Sequence, residues 1–175
     1  SWDELVSTAL EMDFSGIEIH NPIINAVFTG KGGPLDRYNC QATARALRDK
    51  GLCIPALDSS VDISAGEEQV QVAKELIDLA AAASVEKVVV VVQNDDEGAI
   101  HAALSELVPY AEANGVVLLI ESSGIFSSTS RMAGIMDRYA SDYLGALWDV
   151  HNVYREGGES PATPIKNLGA YVKHV

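Results

Sequence analysis

Two stretches decide the fold: Leu144–Asn152, LGALWDVHN, and Val116–Glu121, VVLLIE. Each is an apolar run that stops abruptly at an acid, Asp149 in the first and Glu121 in the second. A short run rich in Val, Leu and Ile reads as a strand buried on both faces, the pattern of a parallel sheet. A carboxylate at its last position then stands at the carboxyl end of the strand, where parallel α/β folds gather their chemistry. Glu121 and Asp149 lie 28 residues apart, about the length of one helix and one strand. That spacing predicts both acids on the same rim of one sheet. With His151 just beyond, they form a candidate metal site or acid–base pair.

The same unit repeats on both sides of these strands. An amphipathic helix is predicted over Trp2–Met12, followed by a strand at GIEIHN, Gly16–Asn21, with Glu18 and His20 on one face. Asn21–Asn39, rich in Gly and Pro, reads as a long loop; its TGKGG segment lacks the Ser or Thr and the following helix of a phosphate loop. A helix over Tyr38–Lys50 stops at Gly51, and the next strand is Leu52–Ser60, where Pro55 is awkward for a central position. Then come a helix over Gly66–Ala83, the strand EKVVVVVQ, and a helix over Asp96–Asn114 closed by Gly115. After VVLLIE a Ser-rich loop leads to a helix over Ser128–Tyr139. After LGALWD a polar loop, HNVYREGGESPATP, precedes a short helix near Pro164–Leu168 and a last strand, YVKHV.

Strict alternation of strand and helix implies a parallel sheet with right-handed crossovers. It closes either as an open doubly wound sheet or as part of a (β/α)8 barrel. No strand ends in a Gly-x-Gly-x-x-Gly turn, and His20, Ser59, Gln93, Glu121 and Asp149 end successive strands. A barrel collects such residues around one mouth, so the expected fold is a single (β/α)8 TIM-barrel domain over 1–175, incomplete, with about six parallel strands and outer helices.

Composition narrows the function classes. Hydrophobic residues make up 47% of 175, enough for a substantial core, and the formal net charge is −13. That field repels phosphate backbones, so nucleic-acid binding is not expected. The apolar runs are too short to span a bilayer, which gives the expectation of a soluble, cytoplasmic protein. Cys40 and Cys53 read as free, buried thiols in a reducing compartment. Trp148 is expected to face away from Asp149 into the helix layer.

GIEIHN, ELIDLAAAASVEKVVVVV, LVPYAEANGVVLLIESSGIFSS and, above all, LGALWDVHNVYREGGESPATPIKNLGAYVKHV resemble the xylose isomerase-like TIM-barrel superfamily, in its sugar phosphate isomerase/epimerase branch. The resemblance runs nearly end to end. It implies that Glu121 and Asp149 end the family's fifth and sixth strands and bind a divalent metal, Mn, Mg, Co or Zn. His174 falls at the first histidine of the family's seventh-strand His-x-His, whose second is the usual ligand, and is the third candidate metal ligand. Three departures stand out: the family's first strand and its eighth, with most of the seventh, are expected to be missing, and Asn152 stands where a histidine is often found. From the same resemblance, Glu121, or its partner acid on the family's eighth strand, is the expected proton-transfer group. His20, His151, Asn152 and Arg155 are candidate substrate contacts, each with a plain alternative as a rim, loop or surface residue. Asp149 could equally close an Asx-turn. The implied reaction is metal-assisted isomerisation or epimerisation of a sugar, sugar phosphate or related polyol through an enediolate. A keto-polyol dehydratase, a non-catalytic shortened barrel and, against the charge, an abasic-site endonuclease are the alternatives. A carbohydrate is the expected partner. Two unpaired sheet edges would also promote self-association.

Overall fold

The computed structural model describes residues 1–139 and 141–175. Six parallel strands, β1 (Ile19–His20), β2 (Leu57–Asp58), β3 (Lys87–Val90), β4 (Val117–Glu121), β5 (Leu144–Leu147) and β6 (Val172–His174), pair in sequential order. Among the described residues eight helices lie before and between them: α1 (Trp2–Glu11), α2 (Ala26–Thr29), α3 (Cys40–Asp49), α4 (Glu67–Ala83), α5 (Glu97–Asn114), α6 (Thr129–Met136), α7 (Val150–Arg155) and α8 (Ala162–Leu168). A 3₁₀ turn, Gly124–Ser127, leads into α6. Sequential parallel order is the signature of a barrel wall, and six strands make a partial TIM barrel.

Side-chain alternation along the strands separates two apolar layers. Leu57, Val88, Val90, Leu118, Ile120 and Ala146 pack outward against Leu76, Ile77, Leu104, Leu107 and Met132 of α4, α5 and α6. Ala56, Val89 and Leu119 face inward as a smaller cluster, flanked by Val117 and Leu147. Full burial of a side chain such as Leu104 stabilises the fold by roughly 1.5–3 kcal/mol. Most of the apolar burial is in the outer layer, so the helices hold the wall together. The period of two then fixes the polar positions: Glu121 follows outward Ile120, Asp58 follows outward Leu57, and His20 follows outward Ile19. All three turn to the interior at the carboxyl end.

Several predicted elements differ. GIEIHN and LCIPALDSS contain only two paired residues each, plus an isolated bridge between Gly16 and Cys53, because Pro55 has no N–H to give the ladder. The long loop carries α2, capped by Asn25, whose Oδ1 accepts from the Val27 N–H. The polar loop after β5 opens as α7, Val150–Arg155, whose N-cap is Asp149 itself, and is irregular only from Glu156 to α8. Val, His and Asn are weak helix formers, so the cap is the stronger signal there. Both cysteines are free; Cys40 is buried, but Cys53 is exposed, because its strand is not formed around it. Trp148 is partly buried and not a core residue. Among the described residues no helix is long and apolar enough to cross a membrane.

Candidate active site

Glu121 and Asp149 are brought together at the ends of adjacent strands by one residue. Asn152, in the first turn of α7, donates its backbone N–H to Asp149 Oδ1 at 2.8 Å and its side-chain amide to Glu121 Oε1 at 3.0 Å. The cap that starts α7 therefore also sets the spacing of the two acids. Ser122, fully buried, tightens the same junction: its hydroxyl accepts from the Asp149 N–H at 2.8 Å, and its own N–H donates to Leu147 O at 2.9 Å. Partial burial pushes the Glu121 carboxyl above its ordinary value, and the nearby charges of Asp58 and Asp149 push it further. Donation from Ser123 and Asn152 opposes this without reversing it. A carboxyl raised toward neutrality is suited to taking and returning a proton.

A second polar group stands on β1 and β2. His20 Nδ1 is 2.7 Å from Asp58 Oδ2, and Asn21 Nδ2 is 2.8 Å from His20 Nε2. His174, at the end of β6, places Nε2 3.0 Å from Glu18 Oε2 beside β1, so a hydrogen bond joins the two edges of the sheet across the interior. His151 and Arg155 are exposed on α7. No hydrogen bond or ion pair to the Glu121–Asp149 pair is formed by either residue. Ser59 is buried and donates to Val89 O at 2.6 Å, while Gln93 is exposed.

The donor chemistry suits a divalent cation at Glu121 and Asp149. Both are carboxylates at one rim, and burial together with the repulsion of Asp58 and Asp149 raises Glu121, a cost that a cation would relieve. Hard cations take such all-oxygen sets. Among the described residues no three His, Cys, Asp or Glu side chains are grouped closely enough to hold a metal by themselves. His174 is engaged by Glu18.

Asp58 and Ser122 were missed by reading the sequence. Asp58 was legible in principle: alternation through Ala56, Leu57 and Asp58 turns the acid inward, whereas the reading chose Ser59 as the strand's terminal polar residue. Ser122 carries no signal beyond its place after Glu121.

No match was found among curated proteins. Solved structures with the same fold include a xylose isomerase domain protein from Planctomyces limnophilus, at 14% identity and a TM-score of 0.77 over 97% of this chain and 65% of that one. D-Psicose 3-epimerase from Clostridium cellulolyticum H10, solved with D-tagatose, matches at 13% identity and a TM-score of 0.76 over 98% and 65%. A xylose isomerase-like TIM-barrel protein from Mycobacterium smegmatis in complex with magnesium matches at 18% and 0.74 over 97% and 63%. The chain thus spans just under two thirds of the length of each. Its own residues 6–175 match the family of xylose isomerase-like TIM barrels. With sequential parallel strands and two acids meeting at their carboxyl ends, this chain belongs to the xylose isomerase-like TIM-barrel family.

Proposed function

We propose that the protein isomerises or epimerises a sugar or related polyol by moving a proton at the carbon next to a carbonyl. The carrying observation is the Glu121 carboxyl, raised by burial and by its acidic neighbours and held by the Asn152 amide beside Asp149. Glu121 takes the proton to give an enediolate and returns it on the same face to the neighbouring carbon as a hydroxyl proton passes between the two oxygens; epimerisation, with return to the opposite face of the same carbon, needs a second acid on that face. Asp149 and Glu121 are the residues that would hold a divalent cation, which when bound supplies Lewis acidity to polarise the carbonyl. Asn152 keeps the two carboxylates in register, and His174 closes the interior through Glu18. His151 and Arg155 would meet a ligand only at the outer lip, since both are exposed. Structural neighbours solved with D-tagatose and with magnesium support a ketose as ligand and a divalent ion as helper. The two free cysteines agree with a reducing, cytoplasmic setting.

The test is proton exchange. Incubation with D-tagatose or another ketohexose and a divalent cation in D₂O should place deuterium at the carbon beside the carbonyl, and Glu121→Gln should abolish it. Exchange that persists in Glu121→Gln at the parent's rate removes Glu121 from the reaction.

A further inference from the structure

We propose that Asp58 is a ligand-contacting carboxylate in which Oδ1 accepts a hydrogen bond from a hydroxyl of the neutral polyol, while His20 holds the other oxygen. The inference rests on the polyol reading above and names which part of the rim recognises the ligand.

The four residues at the ends of β1 and β2 fix one another's proton positions. The Ser60 backbone N–H can only donate, and it lies 2.8 Å from Asn21 Oδ1. This orients the Asn21 amide, so its Nδ2 donates, to Ser60 Oγ at 3.3 Å and to His20 Nε2 at 2.8 Å. With Nε2 accepting, the ring proton sits on Nδ1 and donates to Asp58 Oδ2 at 2.7 Å. Asn21 adopts a left-handed backbone, φ +50°, which asparagine tolerates better than most residues, and its N–H donates to Asp58 O at 2.7 Å. The whole network therefore commits one carboxylate oxygen of Asp58 and leaves the other.

That other oxygen, Oδ1, is buried and receives no donor from the described residues. A buried carboxylate oxygen without a donor is costly, so the site favours a ligand that brings one. Asp58 also faces the same interior as Glu121, because it follows outward Leu57 as Glu121 follows outward Ile120. None of Asp58, Glu121 and Asp149 forms an ion pair with a lysine or arginine among the described residues. With a divalent cation on Glu121 and Asp149, the Asp58 carboxylate still opposes a phosphate or a sugar acid placed against it, because no lysine or arginine among the described residues pairs with it. A hydroxyl satisfies Oδ1 at no charge cost. His20, with both ring nitrogens engaged, acts as a positioning residue.

Calorimetric titration with D-tagatose, with manganese present, tests the assignment. Asp58→Ala should weaken binding about tenfold or more, the loss of a hydrogen bond to a charged group, and the isosteric Asp58→Asn about fivefold. His20→Ala should weaken it severalfold, and His20→Asn, whose amide N–H falls near the Nδ1 position, should restore it. The same variants should bind manganese as the parent does. If Asp58→Asn binds D-tagatose like the parent, the Asp58 contact is wrong while the polyol reading stands. If the Asp58 variants lose manganese along with the sugar, Asp58 is a cation ligand and the proposal is overturned. If the parent binds no ketohexose at all, the polyol reading fails and this inference goes with it. Circular dichroism confirms folding, and where Asp58→Ala does not fold, Asp58→Asn decides.

Discussion

Glu121 is the residue at which fold and chemistry conflict most directly. Its folded carboxyl titrates above the ordinary 4.5, chiefly because it is desolvated and then because Asp58 and Asp149 crowd it. The folded state therefore keeps the proton longer than the unfolded state does. Stability is greatest below the ordinary carboxyl range and falls as pH rises from there through the raised folded value, above which the cost is complete. Glu121→Gln should be more stable than the parent in urea unfolding at pH 7, with the gain disappearing at pH 4. An equal gain at both values would trace the effect to packing instead. A divalent cation should stabilise the parent at pH 7 and the variant much less. Asn152→Ala removes the amide that positions Glu121 and should cost about 10–100-fold in cation affinity, read by metal titration. The acids themselves were legible in the sequence because each ends an apolar run. The asparagine was legible only as a neighbour, since nothing in a linear pattern shows that one side chain spans to another strand.

Among the elements, α7 carries the most consequence for its length. In the sequence these residues read as the start of a polar loop, and Val150, His151 and Asn152 have low helix propensity. The element exists because Asp149 caps it, and the segment after it is fastened to the rest of the fold. The Gly157 backbone lies so close to the Ser127 carbonyl oxygen that a Cβ would overlap it. Glu159 then accepts from the Thr129 N–H at 2.9 Å and from its hydroxyl at 2.5 Å, serving the N-terminus of α6 in place of Ser128, which makes no capping bond. Glu159→Ala should cost about 1 kcal/mol, the usual loss for a helix cap, measured by urea unfolding. An unchanged midpoint would show that water serves α6 as well as Glu159 does. The long, strongly patterned helices α4 and α5 were read nearly to the residue, because a stripe of apolar residues and a terminal Gly115 specify both face and end.

At the scale of the molecule, sequential parallel order followed from unbroken alternation, while strand lengths did not. Strands β1 and β2 each have two residues because one lies at the sheet edge and the other follows Pro55. The β1 and β6 edges have one sheet neighbour each. Their short strands leave few backbone groups without a partner.

The sequential sheet also sets an order of assembly. Each strand pairs with one between 26 residues away, as Ala146 with Val172, and 38 away, as Ile19 with Leu57. Every pairing therefore closes a loop of modest length, at an entropy cost that grows only slowly with that length. The Glu18–His174 bond joins residues 156 apart and has no geometry until all six strands are in place. The wall is thus able to grow outward from β3, β4 and β5, which have the longest ladders, with the bond across the interior forming last. Native-state hydrogen exchange should find the slowest amides at Val89, Leu119 and Ile120 and much faster ones at Ile19 and Lys173. Uniform protection across all six strands would show instead that the arc opens and closes as one cooperative body.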